Sequence, residues 1–524
     1  MFSGKKILLV CKETYSYPLY FLAQKWTKNN QVAAFFFNPC ESMYNKCYLN
    51  DSTYYAFKDL KSIKIYNSDE IAKKFTDILT SEIIDNEYLK EVEEKYTHFS
   101  NLNLQIVSTQ FFTRHYHFRN YMTPCSYHQQ MNWLILNYQN VIRILDEFCP
   151  DVIIDCDSAE LARTVINEVA FERKIPYISP SYLRYDNYLT FSYCLGKEIE
   201  PVFIQTYNKF MTDDNLTEEK SYIKQFNEKS NIMPERFKNT VTSQYKPKSL
   251  FRAVRNIQGI IRYFWNQDIT AKNLKLKHSN KVLFNGSLQY VLFYIRYEKN
   301  NRKLLKKNKY FENPVEGEPY VYMPLHLIPE STTATLSPMY INELTLIEAV
   351  SKSLPAGWWL YVKEHQSMLG ERGLEFYERV KKLPNVRLVQ INYYKDPKPW
   401  ITNSKGVVTI SGTTAYEAAL LHKSSIVFSD VPFSLIKSVH RVKSLEELPK
   451  AFKLFEENVD NEHSCEAYLA TAKSLGFPIK IKYLMDEGER IIRGKSKYSE
   501  EYEKELSNLE AMFMKGYELF TPSK

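Results

Sequence analysis

Three hydroxyl residues and a glycine interrupt one apolar run. In VVTISGTTAYEAALL, residues 407–421, a strand-like stretch breaks at Ser411-Gly412-Thr413-Thr414 and a helix-forming stretch begins at once. The first turn of a helix carries unpaired backbone N–H groups and a partial positive charge, which together suit a phosphate. Gly412 lets the backbone approach a ligand closely, and the hydroxyls of Ser411, Thr413 and Thr414 add donors. Glu417, read as part of the same first turn, is placed to accept hydrogen bonds from sugar hydroxyls. A plain N-cap also prefers Ser or Thr. Three hydroxyls around a glycine favour a site.

A second group follows WWLYV, where Lys363, Glu364 and His365 stand together in YVKEHQ. Lys363 can neutralise phosphate, and His365 can hydrogen-bond it or protonate a leaving phosphate near neutral pH. Alternation along a strand puts Lys363 and His365 on one side. The same stretch also reads as an ordinary solvated strand end. PLHLIPESTT, residues 324–333, adds His326, Glu330 and Ser331. The three groups end different strands of one sheet, so they are expected to converge at its carboxyl edge, where open α/β sheets bind ligands. Lys363, Glu364, His326, Glu330, Glu417 and the 411–414 turn are read as binding a phosphate and a sugar, with His365 as the catalytic member.

Nearer the N-terminus, DCDSAE presents Asp155, Asp157 and Glu160 at another strand end. Asp155 or Asp157 can act as a base toward a hydroxyl; equally, Asp157 or Ser158 can cap the next helix. Asp155-Cys156-Asp157 has the spelling of a metal-binding DxD, but no His, Cys or carboxylate cluster accompanies it, so no metal is expected. TRHYHFRNY, residues 113–121, has the cations to bind an anionic acceptor or simply to face solvent on a helix.

The elements that position these groups follow from periodicity. Ile7–Cys11 is almost wholly apolar, as in a strand buried on both faces. A helix over Pro18–Lys28 and a strand over Val32–Phe37 continue an α/β pattern. No GxGxxG follows the first strand; Lys12-Glu13-Thr14-Tyr15 stands there, which disfavours a nicotinamide dinucleotide site. Residues 68–148 read as amphipathic helices. PDVIIDCDSAELARTVINEVAFERKIPYISP is a β-α-β unit. From Tyr320, strands and helices alternate through SSIVF, which predicts a parallel sheet. Four segments result: a Rossmann-like lobe over 1–195, a helical insertion over 196–318, a second Rossmann-like lobe over 319–443, and a helical region over 444–524. Within the insertion, SLFRAVRNIQGIIRYFW, residues 249–265, is a basic amphipathic stretch that either docks on anionic lipid or packs against its own protein.

Composition bounds the partners. The chain has 524 residues and a formal charge of +8, mild for this length and no nucleic-acid signature, though suited to anionic small molecules. Forty Tyr and 31 Phe either present sugar-stacking faces or fill sheet and helix positions. Eight Cys without a CxxC pair point to reduced thiols and away from structural zinc. The apolar run near the N-terminus is too short for a signal peptide, and none approaches a bilayer span. A cytoplasmic protein is expected, with peripheral contact at the inner face of the membrane allowed.

YVYMPLHLIPE, LYVKEHQSMLGER, LPNVRLV and GVVTISGTTAYEAALLHKSSIVF, in that order and spacing, resemble the bacterial capsule polysaccharide biosynthesis proteins, which include capsule Kdo transferases. The resemblance covers about a fifth of the chain well. It implies a GT-B fold of two Rossmann-like lobes around a cleft, donor on the C-terminal lobe and acceptor on the N-terminal lobe. It also implies a nucleotide-sugar donor, a CMP-linked one being expected, a glycan or lipid-linked acceptor, and no cofactor or metal. By that likeness His365 and the Ser411–Thr414 turn hold the donor's nucleotide and phosphate. One position departs: the family has Pro after the motif histidine, and here Gln366 follows His365. The change is compatible with unaltered activity, a different donor, or lost activity. A glycosyltransferase is the first expectation, a non-catalytic saccharide- or nucleotide-binding capsule subunit the second, and a sugar-nucleotide epimerase the third.

Overall fold

The computed structural model describes residues 2–37, 52–78, 81–108, 126–155, 157, 159–233, 296–306, 309–328, 330–456 and 461–520. Residues 113–121 and 249–265 lie outside them, as do Cys156 and Ser158.

Among the described residues, thirteen strands form two sheets. The first contains β1 (Lys6–Cys11), β2 (Gln31–Phe36), β3 (Ile63–Asn67), β4 (Val152–Ile154), β5 (Tyr177–Tyr182) and β6 (Tyr188–Ser192), with β13 (Phe477–Pro478) beyond β6. The second contains β7 (Tyr320–Pro324), β8 (Trp359–Lys363), β9 (Val386–Leu388), β10 (Gly406–Val408), β11 (Ser425–Val427) and β12 (Val439–Arg441). The apolar run at Ile7–Cys11 is fully buried because β1 sits mid-sheet, paired in parallel with β2 and β4. β7 has the same place in the second sheet, between β8 and β10.

The two sheets share one wiring. The first runs β3-β2-β1-β4-β5-β6 and the second β9-β8-β7-β10-β11-β12. Both are the doubly wound order, whose direction reverses between β1 and β4 and between β7 and β10. All pairs of the second sheet are parallel; in the first, β6 runs antiparallel to β5. Two Rossmann-like lobes therefore make a GT-B-like α/β fold. The reversal points place Lys12 and Asp155 at one carboxyl edge, and His326 and the 409–412 turn at the other.

The short strands β3, β6, β12 and β13 were not anticipated by periodicity. β3, IKIYN, buries only Ile63 and Tyr66 of its five residues, with no regular alternation to distinguish it from loop. The C-terminal helices return to the first lobe. Trp26 donates from Nε1 to Glu510 at 2.8 Å, within the helix Glu500–Leu519. That helix lies close to the sheet at Gly516, where a Cβ would stand 3.0 Å from Ile178 and 3.1 Å from Phe191. The helices Pro201–Phe210 and Thr217–Glu228 pack instead into the second lobe, where Phe203, Tyr207, Ile223 and Phe226 join the core of Tyr416 and Tyr468.

Candidate functional site

A buried polar chain underlies the second lobe's strand ends. Arg372 and Glu343 are fully buried and paired. Glu343 accepts from the backbone N–H of His326 at 2.7 Å and lies 3.1 Å from its Nδ1. The Arg372 guanidinium and the His326 contacts hold the Glu343 carboxyl below the usual range against the opposing effect of burial. An ionised Glu343 makes Nδ1 the donor toward it, and His326 Nε2 lies 3.0 Å from Thr409 Oγ1. Thr409 Oγ1 in turn accepts from the N–H of Gly412 at 3.2 Å. The chain thus reaches from the lobe interior to the turn after β10. Gly412 is required there, since a Cβ would stand 2.4 Å from Thr409 Oγ1. His326 is therefore a tether for the turn, both ring nitrogens being engaged. Glu343, Arg372 and Thr409 were not singled out from the sequence; a buried Arg inside the motif LGER was the available signal.

Alternation divides Lys363-Glu364-His365. Glu364 turns inward: Arg372 Nε lies 2.9 Å from its Oε2, Tyr377 donates to Oε2 at 2.7 Å, and the His365 N–H donates to Oε1 at 2.7 Å. With 2% of its surface exposed, it anchors the loop and does not face a donor phosphate. Lys363 and His365 remain half-buried on the other side. Burial lowers the Lys363 ammonium to about 8, opposed by the charge of Asp396. Burial, then the charges of His326 and Arg372, lowers His365 to about 4. His365 Nδ1 accepts the Ser367 N–H at 3.2 Å, which leaves the ring hydrogen on Nε2. In the free protein His365 is a neutral donor, which corrects the expectation that it is an acid near neutral pH.

The helix Thr413–Leu420 begins at the edge, with Gly412 as its N-cap. Ser411 is buried and spends its hydroxyl on the Thr332 carbonyl at 2.5 Å, so it ties two loops together. Thr413 and Thr414 are half-exposed at the helix start, where N–H groups have no intrahelical partner. Glu417 falls in the second turn, one position beyond the expected first. Burial, then the charge of Asp396, raises its carboxyl to about 7. Glu330 caps the short helix Ser331–Ala334 and accepts from the Thr332 hydroxyl at 3.1 Å.

The first lobe meets this edge through Asp157. Its Oδ1 accepts from Ser331 Oγ of the second lobe at 2.8 Å, with Arg163 Nη1 3.4 Å from the same hydroxyl. Asp157 holds a φ of 55°, uncommon for a non-glycine residue. Asp155, expected as a base, is 1% exposed and accepts from Arg163 Nε at 2.7 Å and Ser179 Oγ at 2.8 Å. A carboxylate in a buried ion pair cannot take a proton without stranding the arginine, so Asp155 positions Arg163 instead. Glu160 sits 3.9 Å from Lys12 beneath the same edge. Two groups missed in the sequence follow β5 and β6. Arg184, at φ 63°, has a buried Nε with no hydrogen-bond partner among the described residues, and its charge reaches Glu198, Glu330 and Glu417. Glu198 accepts from Ser181 at 3.3 Å, and its own N–H donates to the Asp430 carbonyl of the second lobe at 3.1 Å. The signal for Arg184 was position, a charged residue two places past β5; Glu198, six residues past β6 and next to Lys197, offered none.

Among the described residues no group of three or more His, Cys, Asp or Glu is arranged to hold a metal ion, and no described helix is long and apolar enough to cross a membrane. Cys149, Cys194 and Cys465 are free thiols.

No family model matches the chain, and no curated protein does. Among solved structures it is similar to the UDP-GlcNAc 2-epimerase of Methanocaldococcus jannaschii, at 11% identity and TM-score 0.24 over 90% of this chain and 98% of that one. It is similar to S. aureus MnaA, solved with UDP, at 10% identity and TM-score 0.26 over 94% and 98%. It is also similar to the beta Kdo 2,4 transferase KpsC of Thermosulfurimonas dismutans, at 14% identity and TM-score 0.27 over 66% and 87%. At these scores the likenesses carry no argument about chemistry; the fold rests on the strand order of the two sheets.

Proposed function

We propose that this protein is a metal-independent glycosyltransferase of bacterial capsule or other surface-polysaccharide assembly. It moves a sugar from a nucleotide donor, a CMP-linked one being the first candidate, to a glycan or glycolipid acceptor. The observation that carries the reading is the convergence at the carboxyl edge of β7, β8 and β10. There the start of the helix Thr413–Leu420 stands where the strand order reverses, and the half-buried Lys363 and the neutral His365 lie at the end of β8, the next strand along the same edge.

Transfer asks little covalent chemistry of such an edge. As the bond from the sugar's anomeric carbon to the phosphate oxygen breaks, negative charge grows on that oxygen. The Thr413 and Thr414 N–H groups and hydroxyls, the Lys363 ammonium and the His365 Nε2–H supply preorganised donors for it. The Arg372–Glu343–His326–Thr409 chain fixes the turn that aims the helix start. Capsule assembly as the setting rests on the sequence resemblance across residues 320–430. Glycosyl transfer measured with His365→Ala tests the reading. Activity should fall at least a hundredfold with the melting temperature nearly unchanged; wild-type turnover in the variant would remove His365 from the mechanism. Conversion of the donor to an epimer without any acceptor would replace transfer with epimerisation.

A further inference from the structure

The described chemistry at the second lobe stabilises a leaving group but gives no destination for the acceptor's proton. Asp155 is bound up with Arg163 and Ser179, and Asp157 is occupied by Ser331 from the opposite lobe. Resting on the transferase reading, we propose that Glu198 is the general base that takes the proton of the attacking hydroxyl.

Glu198 is half-buried in the segment joining β6 to the helix Pro201–Phe210. The backbones of Lys197 and Asp430 form an isolated parallel β-bridge, in which the Glu198 N–H donates to the Asp430 carbonyl, so the backbone is pinned to the second lobe while the side chain turns to the first. Its one described hydrogen bond is the long one from Ser181, at 3.3 Å. The charged and titratable groups around it come from every side: Asp157 after β4, Arg163 on the helix Leu161–Glu172, Arg184 after β5, and Tyr468 on the helix Glu462–Leu475. Burial raises its carboxyl to about 7, Asp157 adds to the shift, and Arg184 and Arg163 oppose it. A carboxylate of that basicity accepts a proton near neutral pH more readily than an ordinary one. In the step, the acceptor O–H proton passes to Glu198 as the oxygen bonds the anomeric carbon. The carbon–oxygen bond to phosphate breaks with its electron pair, and the nucleotide leaves as the anion held at the second lobe. With water as acceptor the same step is donor hydrolysis.

The experiment uses the full chain and a panel of CMP-, UDP- and GDP-linked sugars, with water as acceptor, and reads released nucleotide from pH 5 to 9. Wild type should gain rate through an apparent pKa of about 7. Glu198→Gln should lose on the order of a hundredfold or more in rate, and the rising limb with it, while calorimetric nucleotide affinity stays within about twofold. Arg184→Met should move the limb to higher pH, a result that remains readable should Glu198→Gln not fold. A limb retained in Glu198→Gln, unmoved in Arg184→Met, or lost in Asp157→Asn or Glu417→Gln instead would overturn the assignment. If wild type binds and releases no nucleotide, the transferase reading fails and takes this one with it. If binding and release persist with the limb intact in Glu198→Gln, only the base assignment fails.

Discussion

Thr409→Val removes one hydroxyl and keeps the side chain's shape. That hydroxyl is the only described link between the His326 ring and the Gly412 N–H, at 3.0 and 3.2 Å. Thr409 itself is 1% exposed, so no water replaces what is lost on its side. Two hydrogen bonds at about 1 kcal/mol each, with an N–H and a ring nitrogen left unpaired, put the cost at about 2–3 kcal/mol. Gly412 and His326 are half-buried, which favours the lower figure. With two lobes, unfolding is not expected to be all-or-none, so the transition of the second lobe is followed by tryptophan fluorescence in urea. At an m-value of roughly 2 kcal/mol/M, its midpoint should fall by about 1 M. The loosened turn also misaims the helix start, and nucleotide affinity should fall about tenfold, equivalent to roughly 1.4 kcal/mol. Thr409→Ser restores the hydroxyl and should recover both. If Thr409→Val matches wild type in midpoint and affinity, the polar chain does not hold the turn.

Two further outcomes follow from buried charge. Lys363 is depressed to about 8, so between that pH and the ordinary lysine value the unfolded chain binds more protons than the folded one, and stability contributed by this group rises with pH. A bound phosphate needs the ammonium form, so affinity should fall with a limiting slope of about tenfold per pH unit above 8, and Lys363→Met should abolish that slope. Arg372→Met leaves Glu343 and Glu364 buried without their cation and should destabilise by about 3–5 kcal/mol in urea at pH 7. The deficit should shrink at pH 4, where both carboxyls take up protons; a deficit independent of pH would contradict the ion-pair account.

The parts of the fold that periodicity reveals are those buried on both faces. β1, β7, β8 and β10 read from short apolar runs because a parallel strand between helical layers has no polar face. Their carboxyl ends could then be placed along one edge, which is why Lys363, His365, Thr413 and Thr414 were legible as a group. What was not legible depends on partners distant in sequence. Asp155 looked like a free carboxylate because nothing in DCDSAE shows that Arg163 folds back over it. Glu364 looked equivalent to its neighbours until Arg372 and Tyr377 drew it inward. Arg184 and Glu198 follow strands that run SYLRYD and into GKEIE, neither of which carries a pattern by itself. The helix Glu500–Leu519 was visible as a helix, but its amphipathic face does not name the first lobe as its partner.

The central claim, that the edge built by β7, β8 and β10 holds a nucleotide phosphate, is tested most directly by isothermal calorimetry. CMP, UDP, GDP and their sugars would be titrated into wild type and His365→Ala, with and without EDTA. One nucleotide class should bind, with affinity unaffected by EDTA and lost in His365→Ala while the variant's melting temperature holds. Binding of none of them to wild type, or equal binding to the variant, would contradict the claim and leave Lys363 and His365 as an ordinary strand end.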